Sequence, residues 1–224
     1  MKMKTTMSLA AAMGCLTVGS ANAAIIIVNH SFESTDITAN LSSNPSSTTM
    51  PGWTTIAGNE WLADRGVGGA LGTNTDPTPD ADGEQFLMTK GGGAYQVTSE
   101  AMAANTVYTL TVDIGDRNNQ GFPTVDMRIG TGSTFGANLL AATVVSNTTP
   151  TNAGTTTDGW ETWVYTFTNG FGVPTENLRV ELFNTGSGQA LFDNVRLDAT
   201  SVPEPTTTAL IGLGGLALIL RRRK

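Results

Sequence analysis

Apolar and polar residues alternate along most of the chain between residues 24 and 201. In the segment 107–114 the polar residues share one face and the apolar residues share the other, which carries Tyr108, Leu110, Val112 and Ile114. A period of two residues is typical of a β-strand with one buried face. The same pattern predicts nine strands, at residues 25–28, 85–88, 94–98, 107–114, 124–129, 139–145, 162–168, 178–183 and 190–197.

Polar turns rich in threonine, glycine and asparagine separate these segments, and none of them has the 3.6-residue period of a long helix. Many short strands joined by polar turns are typical of antiparallel sandwiches. We therefore predict an all-β fold, an antiparallel β-sandwich of the jelly-roll type, over residues 24–201. The two most polar segments, residues 34–49 and 66–83, are predicted to be surface loops.

The first 23 residues have a basic start, an apolar middle and an end of small residues. Lys2 and Lys4 precede the apolar segment 7–18, and Ala21 and Ala23 occupy the positions of a small-x-small cleavage site. This order predicts a Sec signal peptide over residues 1–23, a short helix that the Sec translocon recognises and signal peptidase removes.

The single cysteine of the chain, Cys15, lies inside this leader. It leaves open a lipoprotein signal, although Ala12 stands three residues before it, where a larger aliphatic residue is favoured. Removal of a Sec signal leaves a chain without cysteine, which excludes disulfide bonds and thiol catalysis.

Acidic residues dominate the predicted domain, although the whole chain has a formal net charge of only −7. Residues 24–202 contain 18 acidic and six basic residues, which gives this region a net charge of −12. Phosphate binding needs a basic patch, so nucleic acid is excluded as a partner. Divalent cations and neutral polymers remain compatible with this charge.

The last residues combine an uncharged segment with a basic end. Residues 206–220 would span about 22 Å as a helix, against a bilayer core of about 30 Å. Arginine side chains after such a segment reach the lipid headgroups and stay on the cytoplasmic side. The pattern predicts a single transmembrane helix over residues 206–220, with the β-domain outside the inner membrane.

The end of the chain resembles the PEP-CTERM sorting signal of Gram-negative bacteria that make exopolysaccharide. The resemblance covers residues 202–224 and is carried by Val202, Pro203, Glu204 and Pro205, then the apolar segment, then Arg221, Arg222 and Arg223. It implies processing by an exosortase near the Pro-Glu-Pro residues, transient anchoring in the inner membrane, and delivery to the cell surface or extracellular matrix. A permanent tail anchor is the alternative interpretation.

Four blocks of the predicted domain resemble the galactose-binding-like jelly rolls that include many carbohydrate-binding modules. The blocks are residues 28–33, residues 51–53, residues 108–110 and residues 191–197. The resemblance implies a structural calcium ion that joins the first and last strand regions through Glu33 and Asp193.

The position of Asp193 in its strand also favours a metal or another partner. Asp193 has the strand parity of Leu191, Val195 and Leu197, which predicts that its carboxylate faces the apolar side. A carboxylate there needs a hydrogen-bond partner or a metal ion. A hydrogen-bonded aspartate without any metal is the alternative.

The resemblance and the predicted delivery to an exopolysaccharide-making surface together favour a domain that binds carbohydrate, such as exopolysaccharide. Trp53, Trp61 and Trp160 lie outside the strand alternation or at its edges, so we predict that they form the binding platform. Packing in the core is the alternative for these side chains. The runner-up function is a structural matrix or coat protein without a discrete ligand, which would show no saturable binding of a soluble glycan.

The residues give no support for catalysis. His30 is the only histidine, so a Ser-His or Cys-His arrangement has no other base to use. Acidic residues are plentiful, but their spacing singles out no pair of the kind that glycosidases use. We therefore predict that the protein is not an enzyme.

Overall fold

Strands account for all the regular structure in the residues that the computed structural model describes, which are 21–37, 41–43, 50–56, 60–64, 82–116, 122–150, 160–170 and 176–202. Residues 1–20 of the signal helix predicted over residues 1–23 lie outside these ranges, as does the transmembrane helix predicted over residues 206–220. Within these ranges there is no helix of the length and apolar character that a membrane span needs.

Twelve strands are present in this part of the chain. They are β1 (Asn22–Ile25), β2 (Leu41–Ser43), β3 (Thr54–Thr55), β4 (Glu60–Asp64), β5 (Gln85–Thr89), β6 (Gly93–Ala101), β7 (Thr106–Asp116), β8 (Val125–Thr131), β9 (Ala142–Ser146), β10 (Trp160–Asn169), β11 (Asn177–Asn184) and β12 (Ala190–Ser201).

The strands form two antiparallel sheets. Sheet A has eight strands. Seven follow the order β2-β4-β5-β12-β7-β10-β9, and β1 pairs with the second half of β12, on the edge whose first half pairs with β5. Sheet B has four strands in the order β3-β6-β11-β8. Residues 21–202 make up one compact unit. The predicted antiparallel β-sandwich is confirmed.

The main core lies between the two sheets and is built by the alternation seen in the sequence. Sheet A contributes the even-numbered residues of β7 from 108 to 114, and sheet B contributes the even-numbered residues of β11 from 178 to 182. All of these side chains are buried, and the β10 rings Trp163, Tyr165 and Phe167 pack among them. Burial of such side chains stabilises a fold by about 1.5–3 kcal/mol each.

Three differences from the predicted strands have local causes. The first strand ends at Ile25 instead of running to Val28, because the chain turns at Asn29, whose φ is +52°. Ile26 and Val28 are therefore exposed. The strands β2 and β3 were missed because two or three residues are too few to show a period, and β4 because its three central residues are all apolar and do not alternate. β2 lies inside the segment 34–49, which the sequence predicted to be a loop.

Both ends of the described chain run along β12. Ala23, where signal cleavage is predicted, lies in β1 opposite Ala199, and the main chain of Ala21 bonds with Ser201. Val202 still belongs to the domain, because its N–H donates to the carbonyl of Asn105 at 2.7 Å. The Pro-Glu-Pro residues begin immediately after this bond.

Candidate functional site on the outer face of sheet A

The face of sheet A that points away from the main core carries a second apolar cluster. Five residues stand side by side across five strands, and we name them the apolar row: Trp61, Met88, Leu191, Gly115 and Trp160. Met88, Leu191 and Trp160 are buried, and Phe86 packs on Trp160 with ring centroids 5.7 Å apart. Glycine at position 115 gives these side chains room, because a Cβ there would lie 3.0 Å from both Leu191 and the Trp160 ring.

The next position along the strands is acidic. Asp193 on β12 lies directly opposite Asp113 on β7, and Asp113 lies opposite Thr162 on β10. Asp113 accepts hydrogen bonds from Thr162 Oγ1 at 2.7 Å and from Asn194 Nδ2 at 2.9 Å. Its Oδ1 is also 3.8 Å from Arg196 Nη2. The outer face of sheet A thus combines an apolar row with a pair of aspartates beside it.

A bulge in β12 sets the direction of Asp193. The register with β7 shifts between Asp193 and Arg196, and Asn194 has a φ of +48°. The alternation therefore reverses, so that Val195 and Leu197 face the main core while Leu191 faces the outer cluster. The prediction that Asp193 shares the side of all three residues is wrong: it shares the side of Leu191 alone, because the bulge adds one residue.

Burial controls the ionisation of Asp193, whose side chain has no exposed surface. Desolvation raises its pKa from 3.8 to about 8, and the nearby carboxylates Asp82 and Asp113 act in the same direction. Two main-chain N–H groups oppose this rise: Asp82 donates to Oδ2 at 2.8 Å and Asn194 donates to Oδ1 at 2.7 Å. Burial therefore favours the protonated form of Asp193 at neutral pH.

Glu33 is the other predicted metal ligand. Asp193 binds the first residue of the segment 82–85, and Glu33 binds its last two residues. Its Oε1 accepts the N–H groups of Glu84 at 2.6 Å and Gln85 at 2.5 Å, and its Oε2 accepts Gln85 Nε2 at 3.2 Å. Gly83 must be glycine, because its φ is +101° and a Cβ would collide with Glu33 Oε1. Glu33 and Asp193 therefore both accept hydrogen bonds from the segment 82–85.

The segment that bears Glu33 is fixed by core contacts. Phe32 is fully buried with a φ of +60°, a conformation that costs about 1–3 kcal/mol in a bulky residue. The Trp53 ring packs on Phe32 at 5.3 Å, and its indole N–H donates to the Asn29 carbonyl at 3.1 Å. Trp53 thus positions the turn from which Glu33 extends.

Calcium at Glu33 and Asp193 was implied by the resemblance, and the geometry tests the fit. Four main-chain N–H groups already donate to the two carboxylates, and a hydrogen-bond donor on an oxygen opposes a cation there. Among the described residues, no three or more His, Cys, Asp or Glu side chains are grouped to hold a metal. The described residues therefore do not complete a calcium site by themselves.

A cavity of about 430 Å³ adjoins this region and is lined by residues of β1, of the turn that follows it, and of β12 from the bulge onward. Its lining includes Ile26, His30, Asn194 and Arg196. His30 is half-exposed, with Nδ1 at 3.6 Å from Asp82 Oδ2, and its carbonyl accepts the N–H of Val195 at 2.9 Å. His30 thus contributes its main chain to the fold and its ring to the cavity wall.

The three tryptophans predicted as a platform occupy two different places. Trp61 and Trp160 share the apolar row, with Trp160 buried and Trp61 half-buried. Trp53 lies in the main core on the other side of the sheet. A sugar-binding platform requires exposed ring faces, which the buried Trp53 and Trp160 do not offer. The structure also brings in Asp113, Asn194 and Arg196, whose only sequence signal was the position of Asp113 on the polar face of β7.

Comparison with known proteins places this fold in a family. A family model described as HpiC1 cyclase matches residues 23–198. The chain belongs to the HpiC1-like family. A second model, the PEP-CTERM protein-sorting motif, matches residues 201–224 and confirms the sorting signal predicted from the sequence. No curated protein matches the chain.

Solved structures similar to this HpiC1-like domain include two cyclases from Fischerella sp. TAU. FisC, a Stig cyclase in complex with (3Z)-3-(1-methyl-2-pyrrolidinylidene)-3H-indole, is 24% identical with a TM-score of 0.61, over 82% of this chain and 100% of that chain. Another Fischerella cyclase structure is 23% identical with a TM-score of 0.62, over 82% and 100% of the two chains. At these identities the similarity shows the fold alone.

A carbohydrate-binding module is also among the similar structures. The CBM22-1 xylan-binding domain of Xyn10C from Paenibacillus barcinonensis is 15% identical with a TM-score of 0.41, over 74% of this chain and 96% of that chain. The likeness to carbohydrate-binding jelly rolls predicted from the sequence is thus present, at a level that carries no argument about a ligand.

Proposed function

We propose that this chain is an exported surface or extracellular-matrix protein, processed by an exosortase, whose β-sandwich binds carbohydrate such as exopolysaccharide. The observation that carries the proposal is the sorting motif at residues 201–224, which follows the last strand directly. The β-sandwich between the predicted signal peptide and that motif is then the part that is delivered outward. The acidic balance of the domain favours a neutral polymer over a polyanion.

The contacts of the aspartate pair support a binding role ahead of catalysis. Asp193 is fully buried and both of its oxygens accept main-chain N–H groups, so its described contacts hold residues 82 and 194 in place. A catalytic acid must reach its substrate through a hydrogen bond or one water molecule, so proton donation by Asp193 would first require these two bonds to open. Our prediction that the protein is not an enzyme is therefore kept as part of this proposal.

The test is binding of residues 21–202 to polysaccharide purified from the producing cells. Those residues include both sheets and the whole described core. Carbohydrate binding predicts a saturable isotherm with soluble polysaccharide. Uptake that rises linearly without saturation, from a protein shown to be folded, would support the structural matrix alternative instead.

A second function, proton-catalysed cyclisation, is favoured by one specific observation. The neutral Asp193 lies beside the apolar row, and a carboxylic acid kept protonated in an apolar setting is a suitable proton donor. The family model that matches this chain is described as HpiC1 cyclase, which also favours a cyclisation reaction. Titration with a 3-substituted indole, followed by NMR shifts of the indole N–H of Trp160, tests it, and absence of any shift at millimolar ligand would remove it.

A further inference from the structure

The outer face of sheet B carries a cluster that none of the predicted site residues includes. Residues of β11 alternate, so Leu178, Val180 and Leu182 enter the core while Arg179, Glu181 and Phe183 lie on the opposite face. Register places Tyr95 of β6 and Arg128 of β8 on either side of Glu181, and Asp126 beside Phe183. These side chains form one continuous surface across three strands.

The connection between β8 and β9 folds back over this surface. The N–H of Leu140 donates to the Ile129 carbonyl at 2.9 Å, and the N–H of Gly136 donates to Glu181 Oε1 at 2.7 Å. The Arg179 guanidinium donates to the carbonyls of Thr131 at 2.5 Å, Gly132 at 2.6 Å and Ala137 at 2.6 Å. The loop over residues 132–141 is thus held at several points.

The two charged groups that hold the loop are both fully buried. Arg179 Nε donates to Glu181 Oε1 at 2.6 Å, and neither side chain has exposed surface. A buried ion pair has a large desolvation cost and is seldom the most stable choice for a core, so its presence argues for a geometric role. Here the guanidinium and carboxylate fix the main chain of the loop and thereby the position of Phe135 at its tip.

Phe135 completes a set of three half-buried rings that we name the ring platform: Tyr95, Phe135 and Phe183. The centroid of Phe135 is 6.1 Å from that of Tyr95 and 5.4 Å from that of Phe183, with interplanar angles of 41° and 54°. The Arg128 guanidinium lies 5.2 Å from the Phe183 ring, and its Nε donates to Asp126 Oδ2 at 2.6 Å. Half-buried rings thus lie beside a donor and an acceptor that both reach solvent.

We propose that the ring platform, with Asp126 and Arg128, binds a single soluble chain of a neutral polysaccharide. This inference rests on the proposed carbohydrate-binding function and gives it a location. The apolar C–H faces of sugar rings pack on aromatic rings, while their hydroxyl groups pair with groups that donate and accept. The tilted rings share no plane, which suits a twisted single chain and not the flat face of a crystalline polymer.

Charge on this surface matches an uncharged ligand. Arg128 and Arg179 are balanced by Asp126 and Glu181, which lie within 4.0 Å of them. A polyanion would be repelled by the acidic residues in the rest of the domain. A polycation would compete with Arg128 and Arg179 for the carboxylates of Asp126 and Glu181. A neutral glycan avoids both penalties.

The experiment compares wild-type residues 21–202 with Phe183→Leu, Tyr95→Leu and the double variant, by calorimetry with the soluble polysaccharide of the producing cells. Leucine keeps apolar volume and removes the flat ring. Phe122→Leu is the matched control, since Phe122 is also a half-buried aromatic residue but packs on Trp163 of sheet A. Affinity is expected to fall about tenfold in each single variant and to stay unchanged in the control.

The outcomes distinguish a failure of the ring platform as the binding site from a failure of the carbohydrate-binding function. If the wild type binds saturably and the double variant binds equally well, the platform is the wrong site while the carbohydrate-binding function stands. If the wild type does not bind, the function fails together with the platform. Should a leucine variant unfold, Arg128→Lys gives an independent reading, because it retains the charge but loses the planar group beside Asp126.

Discussion

Asp193 on β12 and Asp113 on β7 stand directly opposite each other on the outer face of sheet A. Two like charges in this arrangement destabilise a sheet. The structure resolves the conflict by giving the two carboxyls different surroundings. Asp113 accepts hydrogen bonds from Thr162 and Asn194 and lies near Arg196, whereas Asp193 is buried with a pKa raised to about 8.

This difference predicts a pH-dependent stability. Because the pKa of Asp193 rises from 3.8 to about 8 on folding, its carboxyl is protonated in both states below pH 4 and only in the folded state between pH 4 and 8. Its contribution to the free energy of unfolding therefore falls by up to about 1.4 kcal/mol per pH unit across that window and is lost above pH 8.

Denaturant titrations in a chelator should show wild type losing stability relative to Asp193→Asn as the pH rises from 4 to 8. Asp198→Asn, an exposed carboxylate on the same strand, is the control and should keep the wild-type slope. A parallel course for wild type and Asp193→Asn would contradict a neutral Asp193.

The resemblance predicts calcium binding, and the ionisation of the Asp193 carboxyl provides its test. A calcium ion would need ionised Asp193, so binding must release the proton that the carboxyl holds below pH 8. The prediction requires millimolar calcium to raise the melting temperature, with a larger rise at pH 8 than at pH 6, and chelator to reverse it. A melt that calcium and chelator both leave unchanged would remove the metal site.

Gly83 should be more sensitive to substitution than Gly136, which also has a positive φ. Gly83→Ala strains the main chain and also places a methyl group against Glu33 Oε1. Displacement of Oε1 weakens the hydrogen bonds that it accepts from the N–H groups of Glu84 and Gln85. Gly136→Ala is the matched control, because its φ is +74° and no atom lies within 4 Å of the added Cβ. By chemical denaturation the control should cost about 1 kcal/mol and Gly83→Ala at least about twice as much.

The buried ion pair of Arg179 and Glu181 leads us to expect that the stability of the domain and the order of the loop 132–141 can be changed separately. Arg179→Met leaves Glu181 buried beside only the distant Arg128, and should cost about 3–5 kcal/mol. The double variant Arg179→Met/Glu181→Leu should recover most of that loss, yet amide hydrogen exchange in residues 132–141 should stay faster than in wild type. Slow exchange in the double variant would mean that the pair does not hold the loop.

The sorting motif predicts a processed C-terminus. Mass spectrometry of the protein recovered from the cell surface should find a mass that lacks Arg221–Lys224, because exosortase processing is expected near the Pro-Glu-Pro residues. Replacement of Pro203, Glu204 and Pro205 by alanine should leave the full-length chain in the inner-membrane fraction. Intact Arg221–Lys224 on the surface protein would indicate a permanent anchor instead.

Local patterns determined most of the fold. The alternation in residues 107–114 and 178–183 indicates which side chains face the core, because a strand in a two-sheet sandwich has one buried face. Strands as short as β3, with two residues, follow no such rule, since their pairing with β6 comes from the neighbouring strand and not from their own sequence. The sorting motif also could be read directly, because an exosortase recognises a linear segment.

Tertiary structure alone decided the site. The bulge at Asn194 turned Asp193 away from Val195 and Leu197 and towards Asp113, because one added residue reverses a two-residue alternation. The sequence placed Glu33 and Asp193 in one candidate site, but only the fold brings residues 82–85 between them. The rings of Tyr95, Phe135 and Phe183, which are far apart in the chain, meet because strand register and a buried ion pair align them. Register is set by contacts across the whole sheet, so no single segment of sequence contains it.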